Sequence, residues 1–175
     1  MKLTKLFPAL FVLFFFATVN LYSQDEMAPP KPAENKVYDA LCGEWTAESS
    51  SMMGMKMKEE VKIYWNLNHQ YIFMELKAVG IDNPNVKYSG FGIFGLNKNG
   101  NAKAWWFDDW GASSIATGEG TFENDKLILK DGNDMFQETR TFEVKGNELT
   151  MSSKGTMNMG GKDMPFDEST VYKRK

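Results

Sequence analysis

The sequence predicts an all-β fold: an antiparallel meander of about ten strands closed into a barrel. From Gly43 onward apolar and polar residues alternate with period two, and turn residues interrupt the alternation every eight to twelve residues. That pattern is typical of an antiparallel sandwich or barrel. No stretch of the chain after Gly43 shows a long helical period. Ring closure removes the two exposed edges of such a sheet, and it pairs the first strand with the last.

The individual strands are predicted from the runs between turn residues. The alternation is clearest in "MKEEVKIYWNL", where every second residue from Met57 shares one face, and Asn99-Gly100 is a strong hairpin signal. Before the first strand, Val37, Ala40 and Leu41 lie at i, i+3 and i+4, which predicts one or two helical turns. The predicted strands are 43–49, 56–67, 71–79, 87–96, 102–108, 113–122, 126–131, 136–144, 148–156 and 166–174.

The chain divides into three segments. Residues 1–23 carry two lysines and then an apolar run that is short for a membrane span, which is the layout of a secretory signal peptide; an uncleaved anchor is the alternative. Residues 24–35 are polar and rich in proline, which predicts a disordered linker. Residues 36–175 form the predicted barrel domain, long enough to bury one core. We therefore expect a secreted or periplasmic protein with no stable membrane anchor after cleavage.

Charge and cysteine content narrow the possible partners. Without the two lysines of the signal peptide, 18 basic and 23 acidic residues remain, which is a formal net charge of −5. This charge disfavours nucleic acid as a partner. Cys42 is the one cysteine of the chain, so an intrachain disulfide is excluded, and it lies too far along the chain to be lipidated at the cleavage site.

Gly43, Trp45 and Arg174 are predicted to be structural. In a closed meander the first strand starts at one end of the barrel, where a large flat side chain at position 45 would seal that end. Gly43 allows a tight turn and a close approach to a neighbour. Arg174 lies near the end of the last predicted strand and hence at the same end as Trp45. We expect its guanidinium to stack on the indole in a cation–π contact worth roughly 1 kcal/mol.

Gly43-Glu44-Trp45 has the G-x-W form that opens lipocalins and their relatives in the calycin superfamily. The chain resembles the uncharacterised calycin-like secreted domains of bacteria, which are similar to lipocalins and fatty-acid-binding proteins. The matching pieces are the "LCGEW" start at 41–45, a Met-rich first hairpin at 52–57, a Gly- and aromatic-rich strand at 90–95, "GEG" at 118–120 and "YKR" at 172–174. The resemblance implies a barrel and a domain of unknown function, because that family has no agreed one.

The same resemblance separates this chain from some better-known barrels. The ten-stranded nitrobindin-like barrels bind haem through a histidine on the last strand. Here the last predicted strand carries Asp167 and Glu168 in that region, and His69, the one histidine, lies in a predicted turn. Histidine-ligated haem is therefore disfavoured, and the sequence identifies no other cofactor.

Polar residues on inward-facing positions predict a ligand cavity. Phe142 and Val144 set the inward parity of their strand, and Glu138 and Arg140 share it. On the last strand, an outward Lys173 turns Glu168 and Tyr172 inward. An apolar interior with a few orienting polar groups is the usual form of a small-molecule site. The alternative is an internal salt bridge of Arg140 with Glu138 or Glu168 inside a filled barrel. The candidate ligand-binding residues are Trp65, Met74, Glu138, Arg140, Glu168 and Tyr172.

Methionines are concentrated in two short segments, which the topology brings to one end of the barrel. Both segments lie in predicted loops, between strands one and two and between strands nine and ten, and these loops are neighbours in a closed meander. Thioethers are soft ligands that suit Cu(I). A flexible apolar portal for a ligand is the alternative. The candidate metal-binding methionines are Met52, Met53, Met55, Met57, Met157, Met159 and Met164.

The sequence gives no support for an enzyme. With one cysteine and one histidine, a Cys/His metal cluster is excluded. Asp108 and Asp109 in "WWFDDW" are adjacent on a strand, so they point to opposite faces and cannot act together on one glycosidic bond. An aromatic rim for carbohydrate stacking stays open as an alternative for this segment. We expect a binding protein for a small apolar or aromatic ligand, with Cu(I) handling or a purely structural barrel as alternatives.

Overall fold

Ten antiparallel strands form a closed barrel in the described part of the chain, each paired with its neighbours in sequence. The structure is a computed structural model that describes residues 29–52 and 54–175. The predicted signal peptide and residues 24–28 of the predicted linker lie outside the described residues. The strands are β1 (Gly43–Met52), β2 (Met55–Asn66), β3 (Tyr71–Gly80), β4 (Lys87–Leu96), β5 (Ala102–Asp108), β6 (Ala116–Glu123), β7 (Lys126–Gly132), β8 (Phe136–Lys145), β9 (Glu148–Met159) and β10 (Lys162–Arg174).

The structure confirms the predicted fold class. Closure is made by β1 and β10, with Trp45 opposite Arg174 and Thr46 opposite Lys173. A short 3-10 helix at Ala112–Ser114 occupies the start of the sixth predicted strand. The compact unit is Pro32–Lys175, and Asn35, which the sequence analysis assigns to the linker, caps the helix that precedes β1.

The predicted methionine loops are in fact the ends of two strand hairpins. β9 and β10 continue to Met159 and Lys162, and Met157 lies directly opposite Met164. Gly160 and Gly161, with φ of 62° and 84°, form the two-residue turn between these strands. β1 and β2 likewise pair as far as Met52 and Met55. The prediction of loops was wrong, because strand pairing continues through both methionine segments as far as the turns.

One end of the barrel is closed by a short helix. α1 (Lys36–Leu41) begins after Asn35, whose side chain accepts hydrogen bonds of 3.0 Å from the backbone N–H groups of Val37 and Tyr38. A helix of this length is not stable alone. Its buried side chains are Val37, Tyr38 and Leu41, whereas Ala40 is exposed. Tyr38 is fully buried, and its hydroxyl keeps a hydrogen-bond partner there by donating to the Gly95 carbonyl at 3.2 Å.

Trp45 and Arg174 join the helix to both closing strands. Trp45 is fully buried, and its Nε1–H donates to the Leu41 carbonyl at 2.9 Å. The guanidinium of Arg174 lies 4.1 Å from the centroid of the indole and donates to the carbonyls of Ala40 at 3.0 Å and Cys42 at 2.8 Å. A Cβ at Gly43 would lie 2.3 Å from Arg174 Nη1, so only glycine leaves room for this arrangement. The predicted cation–π contact is confirmed.

The interior near this closed end is filled by apolar side chains. Phe94 and Phe142 meet edge to face with their ring centroids 5.8 Å apart, and Leu127, Leu129 and Leu149 are fully buried. The methionine hairpins lie at the opposite end, as predicted, because β1 and β9 run away from Trp45 toward Met52 and Met159. The barrel therefore has a closed end at α1 and an open end at the two hairpin turns.

We predict that Arg174→Met lowers the free energy of unfolding by about 1–2 kcal/mol, because the cation–π contact and two bonds to carbonyl oxygens are lost. Arg174→Lys should lie between the parent and Arg174→Met, since an ammonium keeps the charge without the planar fork. Urea unfolding measures the effect. Lys173→Met is the matched control, because the exposed Lys173 forms a salt bridge with Glu148 on the outer face of the barrel. Equal losses in Lys173→Met and Arg174→Met would contradict the assignment.

Candidate functional site: a cavity at the open end

A cavity of about 660 Å³ occupies the open half of the barrel. Its volume is typical of small-molecule sites, which range over roughly 300–1,000 Å³. The wall combines methionines, aromatic rings, hydroxyls, four carboxyl groups and one guanidinium. The main side chains in these classes are Met74, Met135, Met151, Met157, Met159 and Met164; Tyr88, Trp106, Trp110, Phe136, Phe166 and Tyr172; Glu59, Asp108, Glu138 and Glu168; and Arg140.

The structure brings most of the predicted ligand-binding residues to this cavity. Met74, Glu138, Arg140, Glu168 and Tyr172 all line it. Trp65 does not belong to the wall. The alternation of residues along a strand predicts which face of the sheet a side chain lies on, but it does not predict how far along the barrel axis the side chain lies. Trp65 is at the closed end of the barrel.

At the closed end, the Trp65 ring packs on two other aromatic groups and one carboxylate. It meets Tyr38 edge to face, with centroids 5.7 Å apart, and stacks on His69 at 4.7 Å. Its Nε1–H donates to Asp39 Oδ1 at 2.8 Å. The one histidine of the chain is therefore held on the outside of the closed end, away from the cavity.

Trp106 forms the floor of the cavity. A Cβ at Gly90 would lie 2.0 Å from its ring, and one at Gly92 would lie 3.1 Å from it, so β4 needs glycine at both positions. The indole Nε1–H donates to the Tyr88 hydroxyl at 3.0 Å. The inward face of β5 therefore carries Trp106 and Asp108.

Arg140 is held by two carboxylates and one aromatic ring. It pairs with Glu138 and with Asp131 Oδ2, the latter at 3.4 Å, and its guanidinium lies 5.3 Å from the Trp106 ring centroid. Burial lowers the pKa of Arg140, but the two carboxylates outweigh it and hold the pKa above its usual value. The internal salt bridge that the sequence suggested as an alternative to a cavity is therefore present between Arg140 and Glu138, and the cavity is present as well.

Asp131 is the member of this group that the sequence analysis missed. Leu127, Leu129 and Asp131 alternate along β7, so the same parity rule applied to "LILKD" would have placed it inward. Its Oδ1 has no hydrogen-bond partner among the described residues. Burial raises the pKa of Asp131 to about 6, with Glu138 adding to the rise and Arg140 opposing it.

A second buried carboxyl group, that of Glu59, is bound by hydroxyls. Glu59 is 3% exposed and accepts hydrogen bonds from the hydroxyls of Ser50 and Tyr172. Within the described residues it makes no ion pair. Burial, and then the neighbouring Glu59 carboxylate, raise the pKa of Tyr172 far above its usual value. Tyr172 therefore stays a neutral hydrogen-bond donor.

The mouth of the cavity combines Asp108 with two aromatic side chains. The Tyr88 hydroxyl donates to Asp108 Oδ2 at 3.3 Å, and the backbone N–H of Trp110 donates to Asp108 Oδ1 at 3.0 Å. Ser114 also donates to Asp108 Oδ1. The rings of Tyr88 and Trp110 lie edge to face with centroids 6.2 Å apart, and Trp110 is 57% exposed. These three hydrogen bonds fix the Asp108 carboxylate next to the two aromatic residues.

The methionine segments contribute unequally. Met157, Met159 and Met164 line the cavity, and Met74, Met135 and Met151, which the sequence analysis did not propose as metal ligands, line it too. Met57 is fully buried in the core and Met55 is exposed; neither lines the cavity. Met53 and the side chain of Met52 lie outside the described residues. Among residues 29–52 and 54–175, no group of three or more His, Cys, Asp or Glu side chains could hold a metal ion.

No protein-family model matches the chain, and no curated protein matches it at a significant level. The closed ten-stranded antiparallel barrel is compatible with a calycin-like fold. Among the helices that the structure describes, none is long and apolar enough to cross a membrane.

We predict that Asp131→Asn flattens the dependence of stability on pH. The pKa of Asp131 is about 6 in the fold, above its ordinary value of 3.8, so the folded state binds more protons than the unfolded state between these values. Its contribution to stability is therefore lost as pH rises through this window. Urea unfolding at pH 4.5 and pH 7 should show a smaller decline in the variant. Asp167→Asn, at an exposed outer position, is the control, and parallel pH curves for Asp131→Asn and the parent would contradict the prediction.

Proposed function

We propose that this chain is a binding protein for a small apolar or aromatic molecule and that it works in a secreted or periplasmic setting. The observation that carries the proposal is the cavity of about 660 Å³ at the open end. A wall of methionines and aromatic rings with a few fixed polar groups suits such a ligand. The compartment is proposed from the signal-peptide pattern of residues 1–23, and the calycin-like secreted family from the sequence resemblance.

Binding is favoured over catalysis by the positions of the two most reactive side chains. Cys42 precedes β1 at the closed end, and burial, followed by the charge of Asp39, raises the pKa of its thiol to about 11. His69 stacks on Trp65 at the same end. Neither lines the cavity. We therefore propose no catalytic residue.

A cavity-filling variant tests the proposal. Ser153 lines the cavity, so Ser153→Trp should fill part of it and weaken binding of N-phenyl-1-naphthylamine, a neutral apolar fluorophore, by about tenfold or more, which is about 1.4 kcal/mol. Thr150→Trp is the matched control, because Thr150 faces outward on the same strand. Fluorescence titration measures the affinity, and thermal unfolding checks that both variants fold.

Two outcomes would contradict the proposal. The parent protein could fail to bind the fluorophore, or Ser153→Trp and Thr150→Trp could bind it as tightly as the parent. Native mass spectrometry of protein purified from its own source gives an independent readout, since a bound small molecule adds a defined mass to the chain.

Cu(I) handling is the second candidate, and the arrangement of three methionines favours it. Met157 and Met164 are cross-strand partners, and Met159 lies two residues farther along the same face of β9. All three line the cavity near its mouth. Three neighbouring thioethers form a soft ligand set of the kind Cu(I) prefers. Met55 and Met57 are not part of this set.

If this candidate holds, replacing Met157, Met159 and Met164 together with leucine should abolish anaerobic Cu(I) binding. The fold should survive, because leucine is apolar and of similar volume. Met55→Leu combined with Met57→Leu is the matched control and should retain binding. Competition with a chromophoric Cu(I) chelator measures the affinity. A parent protein that cannot compete with the chelator would exclude this function.

A further inference from the structure

The charge of the cavity wall points to the chemical class of the ligand. Four carboxyl groups line the cavity, those of Glu59, Asp108, Glu138 and Glu168, against the single guanidinium of Arg140. A formal excess of negative charge inside a partly desolvated space attracts cations more strongly than the same charges would in water.

Arg140 is not free to bind an anion. Its guanidinium pairs with Glu138 and Asp131 and lies over the Trp106 ring. An incoming carboxylate would have to displace one of these carboxylates or add a third negative charge beside them, and either change carries an electrostatic cost. The positive charge inside the barrel is thus already neutralised by the protein's own side chains.

The mouth provides a place for a cation. Asp108 is fixed by hydrogen bonds from Tyr88, Trp110 and Ser114. Beside it, the Tyr88 and Trp110 rings are 6.2 Å apart and nearly perpendicular. Aromatic faces next to a carboxylate form the environment that recognises ammonium groups through cation–π attraction. Trp110 is 57% exposed, so a ligand at the mouth could cover part of its side chain.

The rest of the cavity wall suits an uncharged, apolar remainder. Met135, Met151 and Met157 line it together with Phe136 and Phe166. Ser153, which is in register with both Arg140 and Glu168, has an Oγ that is buried and has no hydrogen-bond partner among the described residues. That hydroxyl is an unsatisfied polar group with a charged cross-strand neighbour on each side, and a polar group of the ligand could satisfy it.

We infer that the ligand is an organic cation: an apolar or aromatic molecule with a positively charged nitrogen, held at the mouth between Asp108, Tyr88 and Trp110. This inference rests on the proposed binding function and names the ligand class of the same cavity. The ammonium lies beside the Asp108 carboxylate and the two rings, and the apolar part extends between the methionines toward Trp106.

Three competitors that share one chain and differ only in the head group test the inference. Decyltrimethylammonium, decanol and decyl sulfate, each below its critical micelle concentration, compete with N-phenyl-1-naphthylamine for the purified protein. We expect decyltrimethylammonium to bind about tenfold more tightly than decanol, and decyl sulfate to bind most weakly of the three. Equal affinities, or a preference for decyl sulfate, would overturn the inference while the proposed function stands. Failure of the fluorophore itself to bind would remove both.

Two variants locate the cation. Asp108→Asn removes the charge but keeps an oxygen that can accept from Trp110 and Ser114, and it should lower decyltrimethylammonium affinity to about that of decanol. Asp125→Asn removes one charge at the closed end, where Asp125 pairs with Lys36, and should change nothing. Trp110→Leu should weaken binding of the cation about fivefold and leave decanol nearly unchanged. A cation preference that survives both Asp108→Asn and Trp110→Leu would refute the assignment of this site.

Discussion

The contact between Trp45 and Arg174 is the interaction on which the closed end of the barrel depends. It joins the first strand to the last, and the guanidinium also holds the last carbonyls of α1. A six-residue helix with no stability of its own is thereby fixed across the barrel end, where Tyr38 and Leu41 complete the core. With that end sealed and filled, the space inside the barrel is confined to the opposite half.

The boundary between the filled and open halves is a layer of polar contacts. Trp106 lies flat over two glycines of β4, and Arg140 packs on it with its two carboxylates. An unpaired charge at this depth would be costly, so the cluster must be nearly self-neutralising. A cavity that contains a guanidinium can therefore still be selective against anions. The charge of a residue that lines a cavity therefore does not predict the charge of the ligand unless the partners of that residue are known.

Most of what could be predicted about the fold and the cavity came from the period-two alternation of apolar and polar residues. It placed Glu138, Arg140 and Tyr172 inward and, with closure, set Trp45 beside Arg174 at the end away from the methionines. It could not give depth along a strand, which is why Trp65 was grouped with residues at the other end of the barrel. It also could not show that Gly160 and Gly161 form the whole turn, because a two-residue turn and a longer glycine-containing loop look alike in sequence. Asp131 follows the same alternation, so its inward position could have been predicted from the sequence. Its pairing with Arg140 depends on cross-strand packing, which a single sequence does not reveal.

The methionines of the open half differ sharply in exposure, and this difference has a chemical consequence. Met159 and Met164 are 50% and 52% exposed, whereas Met74 on the inner wall is 1% exposed. A peroxide arriving from solvent would oxidise the outer thioethers first, and each sulfoxide would add a strong S–O dipole to a flexible apolar side chain. Oxidative damage would thus begin as a change of polarity at the rim, while the core around Trp45 and the β1–β10 closure kept its packing.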